Sequence, residues 1–172
     1  MAALEPYRFE PERVQDENEA SDDDNEESER LNNLNWCSCG RCEVRETTRE
    51  CICCLEVPES EHKFTEGSRM GCITDHEEFS VVCLTRAVLR TAIVGFHYLN
   101  RSPVPSPMQN RNYRYAAYRQ YVWWIYKRLG RKKRKVIPSC VVSAIRKEFP
   151  EADGNYTGFR DPSINEIDLA FL

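Results

Sequence analysis

Apolar residues settle into a helical rhythm only in the second half of this sequence. Phe79, Val82, Cys83, Ala87, Leu89, Ile93 and Phe96 recur at mostly helical spacing, with Arg86 and Arg90 four apart on a wetter side. Ahead of them Thr74-Asp75-His76-Glu77 has capping-box form, so the pattern predicts a helix from near Asp75 to near Leu99. Pro103, Pro105 and Pro107 then predict an extended connection, because proline disfavours helix at itself and at the residue before it. A second helix is predicted from about Arg111 to Leu129, striped by Tyr118, Tyr121, Val122, Ile125 and Leu129, flanked by Trp123 and Trp124, with Gly130 as a left-handed C-cap. Pro138 and Ser139 open a third, which runs to about Phe149 and is ended by Pro150. Gly154 and Gly158 mark a tight loop around Tyr156 and Phe159.

Upstream the rhythm is absent. Trp36 to Cys72 shows no sustained period of 3.6 or 2, so regular structure should be sparse and something other than an apolar interior must hold it. Residues 1–35 are polar and acidic, with the run Ser21-Asp22-Asp23-Asp24-Asn25-Glu26-Glu27-Ser28-Glu29, and cannot bury enough apolar area to offset chain entropy. They are expected to be a disordered tail, either a solubilising leader or a segment that shields the basic region downstream; Ser21 and Ser28 are weak candidates for phosphorylation. The expected organisation is a tail over 1–35, one domain over 36–160 and a short tail over 161–172. The fold class expected is mainly α with an irregular metal-stapled segment, α+β being the alternative.

Charge sharpens this division. The net charge of −4 hides two opposed parts: residues 1–35 carry 12 acids against 3 bases, and the remainder 16 against 21. No stretch reaches the roughly 18 consecutive apolar residues of a membrane span, and no apolar run follows a basic head at the N-terminus. An intracellular, cytoplasmic protein in a reducing compartment is expected, with a nuclear location left open. The nine cysteines are then thiols or metal ligands, and an odd count suits disulfides poorly.

Seven of those cysteines fall between Cys37 and Cys72: Cys37, Cys39, Cys42, Cys51, Cys53, Cys54 and Cys72. Cys39-Gly40-Arg41-Cys42 is a knuckle, whose two intervening residues let both sulfurs reach one tetrahedral ion at about 2.3 Å. Adjacent Cys53 and Cys54 diverge, so two ions sharing bridging thiolates use them better than one. Zinc is favoured, although an all-sulfur site also suits an iron–sulfur cluster. Cys83, inside an apolar stripe, reads as a small hydrophobe. Cys140 at a helix start is equally a core residue or a distant ligand. His62, His76 and His97 read as structural. An all-cysteine site with no open position argues for structure over catalysis.

Between Asn110 and Lys147 there are twelve Lys or Arg residues and no acid, interleaved with seven Tyr or Trp. Such a surface suits phosphate, by ion pairing and base stacking, unless it is simply a solvated helix face. No phosphate loop, dinucleotide turn, zinc-protease pair or nucleophile elbow is present.

The string Trp36-Cys37-Ser38-Cys39-Gly40-Arg41-Cys42, followed in order by Cys72-Ile73-Thr74, Ala117-Tyr118-Arg119, Ile137-Pro138-Ser139-Cys140, Ile145-Arg146-Lys147-Glu148-Phe149-Pro150 and Tyr156-Thr157-Gly158-Phe159, resembles the cytoplasmic C-terminal ballast domain of the P2X purinoceptor family, subtype seven. The resemblance implies a dinuclear zinc centre to which Cys140 contributes, and a bound guanine nucleotide. It implies that Arg114 and Tyr118 face the phosphates, that backbone around Lys135, Val136 and Ile137 contacts the base, and that Tyr115 and Arg146 belong to the same pocket. Two departures bear on phosphate binding: Tyr115 stands where the family has histidine, and Glu151 where it has lysine. The channel's membrane helices and extracellular region are not in this sequence.

The leading expectation is therefore a zinc-binding regulatory or scaffolding module that binds GDP or GTP, or an unidentified protein partner, without turnover. The alternative is a zinc-dependent nucleic-acid-binding protein, whose affinity would fall steeply with salt. GTP hydrolysis is the weakest reading, as no catalytic base is recognisable. Palmitoylation would give peripheral membrane contact, in competition with metal for the same thiols.

Overall fold

The computed structural model describes residues 29–64, 71–127, 129 and 134–159. Most of the acidic tail, the centre of the Arg131 to Lys135 connector, the C-cap expected at Gly130 and the segment 161–172 lie outside the described residues. Within them the protein is mainly helical and holds no strand, so the α+β alternative has no support there.

The single helix expected from Asp75 to Leu99 is two. A short turn at Ile73–Asp75 leads into α1, Glu77–Leu84, whose second part, Ser80–Leu84, is wound wider than an α-helix. Thr85 then takes an extended conformation, its hydroxyl donating to the Ser80 carbonyl at 3.1 Å, and α2, Arg86–Leu99, departs at a 50° bend. The capping box also resolves differently. The Thr74 hydroxyl meets the Cys72 sulfur at 3.1 Å, and His76 caps α1 instead, its Nδ1 accepting from the Glu78 amide at 3.1 Å. A sulfur within reach competes for the hydroxyl that sequence spacing assigns to the helix end. Among the described residues no single helix is long and apolar enough to cross a membrane.

The second and third expected helices form as α3, Asn110–Tyr126, and α4, Ser139–Glu148. Lys127, at φ 57°, ends α3 two residues before the predicted limit. Helix α3 is the hub: α2 and the Ser80–Leu84 turn pack along it, and α4 crosses it. Phe79, Leu89, Ile93, Tyr113, Ala117, Tyr121, Ile125, Val141, Ile145 and Phe149 form the buried interior, and the sulfurs of Cys42, Cys53, Cys54, Cys72, Cys83 and Cys140 are continuous with it. Phe149 stacks on Tyr113 with centroids 5.5 Å apart, and the Arg86 guanidinium lies over both rings.

Residues 29–64 wrap this core as loops and short 3-10 turns, as their lack of period predicts. Long-range polar bonds fasten them. The Ser139 amide donates to the Ile52 carbonyl at 2.9 Å, tying α4 to the cysteine segment. The Glu56 carboxylate accepts from the Cys53 amide at 2.6 Å and from Arg30 at 2.7 Å.

Candidate functional site

Seven of the eight thiols expected at a metal are brought together, in two overlapping groups. Cys37, Cys39, Cys42 and Cys53 form one, and Cys39, Cys54, Cys72 and Cys140 the other; within each, the sulfurs lie within 4.8 Å of one another. Cys39 belongs to both. Gly40 at φ 72° supplies the left-handed residue that turns the knuckle back on itself, which a side chain would resist. Cys53 and Cys54, which neighbour each other along the chain, fall into different groups, because successive side chains point apart. Cys140 reaches the site from the start of α4, nearly seventy positions after Cys72. Cys51 sits in neither group. Its sulfur is fully buried and accepts the Arg45 amide at 3.3 Å. Cys83 is buried in the interior, and burial pushes its thiol up to about 12.

The spacing of the sulfurs is informative. Four sulfurs at about 2.3 Å around a tetrahedral ion stand about 3.8 Å apart. Cys37 and Cys39 are 3.8 Å apart, Cys39 and Cys42 3.7 Å, and Cys54 and Cys72 3.9 Å. So crowded a set cannot ionise uniformly. Hydrogen bonds from Cys140, Cys54 and Thr74 draw the Cys72 thiol down to about 2, and bonds from Cys140, Cys37 and Cys39 draw Cys42 to about 6. Hydrogen bonding among Cys140, Cys42, Cys54 and Cys72 drives the Cys140 thiol upward, and burial drives Cys39 upward. A cation is the group that lets closely packed sulfurs all be thiolates at once.

Arg45, Glu50, Arg134, Arg146 and Phe159 are among the residues that line a basic cleft of about 410 Å³. Of the residues the resemblance places at a nucleotide, Tyr115, Tyr118, Val136, Ile137 and Arg146 line it. Lys135 and Arg114 do not. The Lys135 ammonium pairs with Glu59 at 2.9 Å and lies over the Tyr126 ring. Arg114 is buried, donates to the Phe149 carbonyl at 2.7 Å and pairs with the Glu151 carboxylate, so its guanidinium is spent holding the end of α4 to α3.

Sequence reasoning passed over Arg45, which the cleft shares with Arg134 and Arg146. The Arg45 side chain is only 8% exposed: its Nε donates to the Ser139 hydroxyl at 3.0 Å and its Nη to the Ser139 carbonyl at 2.7 Å, with Ser143 also in contact. Burial lowers its pKa, and the nearby Arg146 charge lowers it further. The Arg146 guanidinium lies over Tyr156 at 4.4 Å, yet its Nε is buried with no acceptor among the described residues. Burial raises the Tyr118 phenol, against the pull of Arg146. Glu50 and Phe159 close one wall, the Phe159 amide donating to the Glu50 carboxylate at 2.7 Å.

Residues 3–160 match the family model described as the P2X purinoreceptor 7 intracellular domain. The chain is 32% identical over 132 residues to the P2X purinoceptor 7 of Rattus norvegicus and 30% identical over 136 residues to that of Mus musculus, 74% of the chain being covered each time. It spans 20% of the length of these relatives. With a family model matched over residues 3–160 and relatives of 30% identity or more, the chain belongs to the P2X purinoreceptor 7 intracellular domain family.

Proposed function

We propose that this chain is a zinc-stapled binding module which holds two zinc ions on its seven clustered thiols and takes a guanine nucleotide in its basic cleft, without turnover. The observation that carries the metal half is the sulfur spacing of 3.7–3.9 Å between Cys37 and Cys39, Cys39 and Cys42, and Cys54 and Cys72. Cys39, common to both groups, would serve as the bridging thiolate. Zinc, when bound, supplies cross-links worth about 10–16 kcal/mol in small structural sites, which suits a segment with so little apolar interior of its own. Both groups are built wholly of cysteine, with no water-bearing position, so the role is structural.

The nucleotide half rests on the cleft. Arg45, Arg134 and Arg146 provide cations, Tyr115 and Phe159 provide ring faces, and the buried Arg146 Nε is a donor in want of an acceptor oxygen. With Arg114 withheld by Glu151 and the Arg45 guanidinium held by Ser139 and Ser143, the phosphate-binding work falls first to Arg134 and Arg146. Native mass spectrometry and elemental analysis of purified protein test the proposal together. Two zinc ions per chain and co-purifying GDP or GTP are expected. Folded protein free of transition metal overturns the zinc half, and failure of added GDP to bind overturns the nucleotide half.

A further inference from the structure

We infer that the two metal positions of the sulfur cluster are unequal: the one bounded by Cys37, Cys39, Cys42 and Cys53 exchanges its zinc with solvent, while the one bounded by Cys39, Cys54, Cys72 and Cys140 keeps it. The inference rests on the zinc reading above and adds a function to it, the uptake and release of one zinc ion by a chain that stays folded.

Ligand number does not separate the two positions. Each group has four sulfurs and Cys39 is common to both, so removing either ion leaves the other a complete tetrahedral set. Access does separate them. Cys37 and Cys39 are half-buried, and around them Asn35, Ser38, Gly40 and Arg41 are exposed. A chelating ligand can therefore reach the first group from water. Cys54, Cys72 and Cys140 are buried, and Ile73 and Val141, which follow the last two along the chain, are fully buried.

Origin in the chain separates the positions further. Three of the first group's four sulfurs come from the six residues Cys37 to Cys42. Among the described residues no backbone–backbone hydrogen bond holds 38–42, and the exposed Arg41–Asp75 pair at 2.8 Å is a weak latch. Swinging this loop outward releases the first ion without disturbing a helix. The second group instead joins the loop to the Cys54–Glu56 turn, to the residue that precedes the Ile73–Asp75 turn, and to α4. Opening it parts α4 from the interior in which Val141, Ile145 and Phe149 are packed. Local openings cost far less than those that break a core, so the two ions leave at rates that differ by at least about tenfold.

The test uses the full chain as purified, held in excess EDTA and sampled over time by native mass spectrometry, with free thiols trapped by N-ethylmaleimide and mapped by peptide. The first ion should leave at least about tenfold faster than the second, so that a folded one-zinc species accumulates. In that species Cys37, Cys42 and Cys53 should carry the label, while Cys39, Cys54, Cys72 and Cys140 should not. Isotopically enriched zinc, added without chelator, should replace one of the two ions on the faster timescale. Cys37→Ser should speed the first loss and leave the second unchanged. Three results overturn the inference while leaving the zinc reading intact: both ions departing together, label arriving first on Cys54, Cys72 or Cys140, or Cys37→Ser speeding both losses by the same factor. A purified chain that is folded and holds no zinc overturns both.

Discussion

Replacing Tyr121 by phenylalanine should stabilise this protein. The Tyr121 side chain is completely buried, its ring packs edge-on against Trp124 at 6.2 Å, and its hydroxyl has no hydrogen-bond partner among the described residues. A hydroxyl stripped of water and left unpaired costs about 1–3 kcal/mol, while the ring contacts survive in phenylalanine and no cavity opens. A gain of about 1–2 kcal/mol follows, read as a rise of about 2–6 °C in Tm or a shift of about 0.5–1 M in the urea midpoint. Burial also holds the folded-state phenol neutral well above the tyrosine value of 10.0. Its contribution is complete below that pH and is lost as pH climbs above it, so the wild type should weaken above about pH 10 more steeply than the variant. Zinc content, measured alongside, guards against an indirect effect through Cys54 and Cys140, whose charges bear on the same phenol. A loss of more than about 0.5 kcal/mol with metal content unchanged would show that the hydroxyl is satisfied and refute the reasoning.

Two further substitutions probe the ion pairs. Arg114→Ala should cost about 3–5 kcal/mol in urea unfolding, since it strands the Glu151 carboxylate and the Phe149 carbonyl, and a loss below about 1 kcal/mol would mean the pair is solvated. Glu78 is drawn down to about 2, first by Lys63 and then by the Trp124 indole. Its contribution is present above the ordinary carboxylate range and is lost as pH falls toward 2. Urea midpoints measured against pH should therefore fall less between about pH 4.5 and 2 in Glu78→Gln than in the wild type, and parallel curves would argue against the pairing.

The helices were legible because each buries one stripe, and that stripe repeats with the helical period. The break at Thr85 was not, since the apolar period runs unbroken through it; only the hydroxyl bond to Ser80 and the departure of α2 along α3 disclose it. The knuckle could be read locally from Cys39 and Cys42. Which group takes Cys53 and which Cys54 is decided in three dimensions, and so is the exclusion of Cys51. Arg45 escaped notice because its partners, Ser139 and Ser143, lie more than ninety residues away. Arg114 illustrates the converse: sequence likeness points it at phosphate, and a carboxylate thirty-seven positions on claims it instead.

Arg45 has a further consequence. Its backbone amide grips the sulfur of Cys51, two residues from Cys53, while its guanidinium is pinned to α4 at the mouth of the cleft one residue before Cys140. A strut fixed at both ends transmits load in both directions. Thermodynamic reciprocity then requires that, if emptying the sulfur cage loosens the grip on a phosphate by some factor, filling the cleft tightens the cage by that same factor.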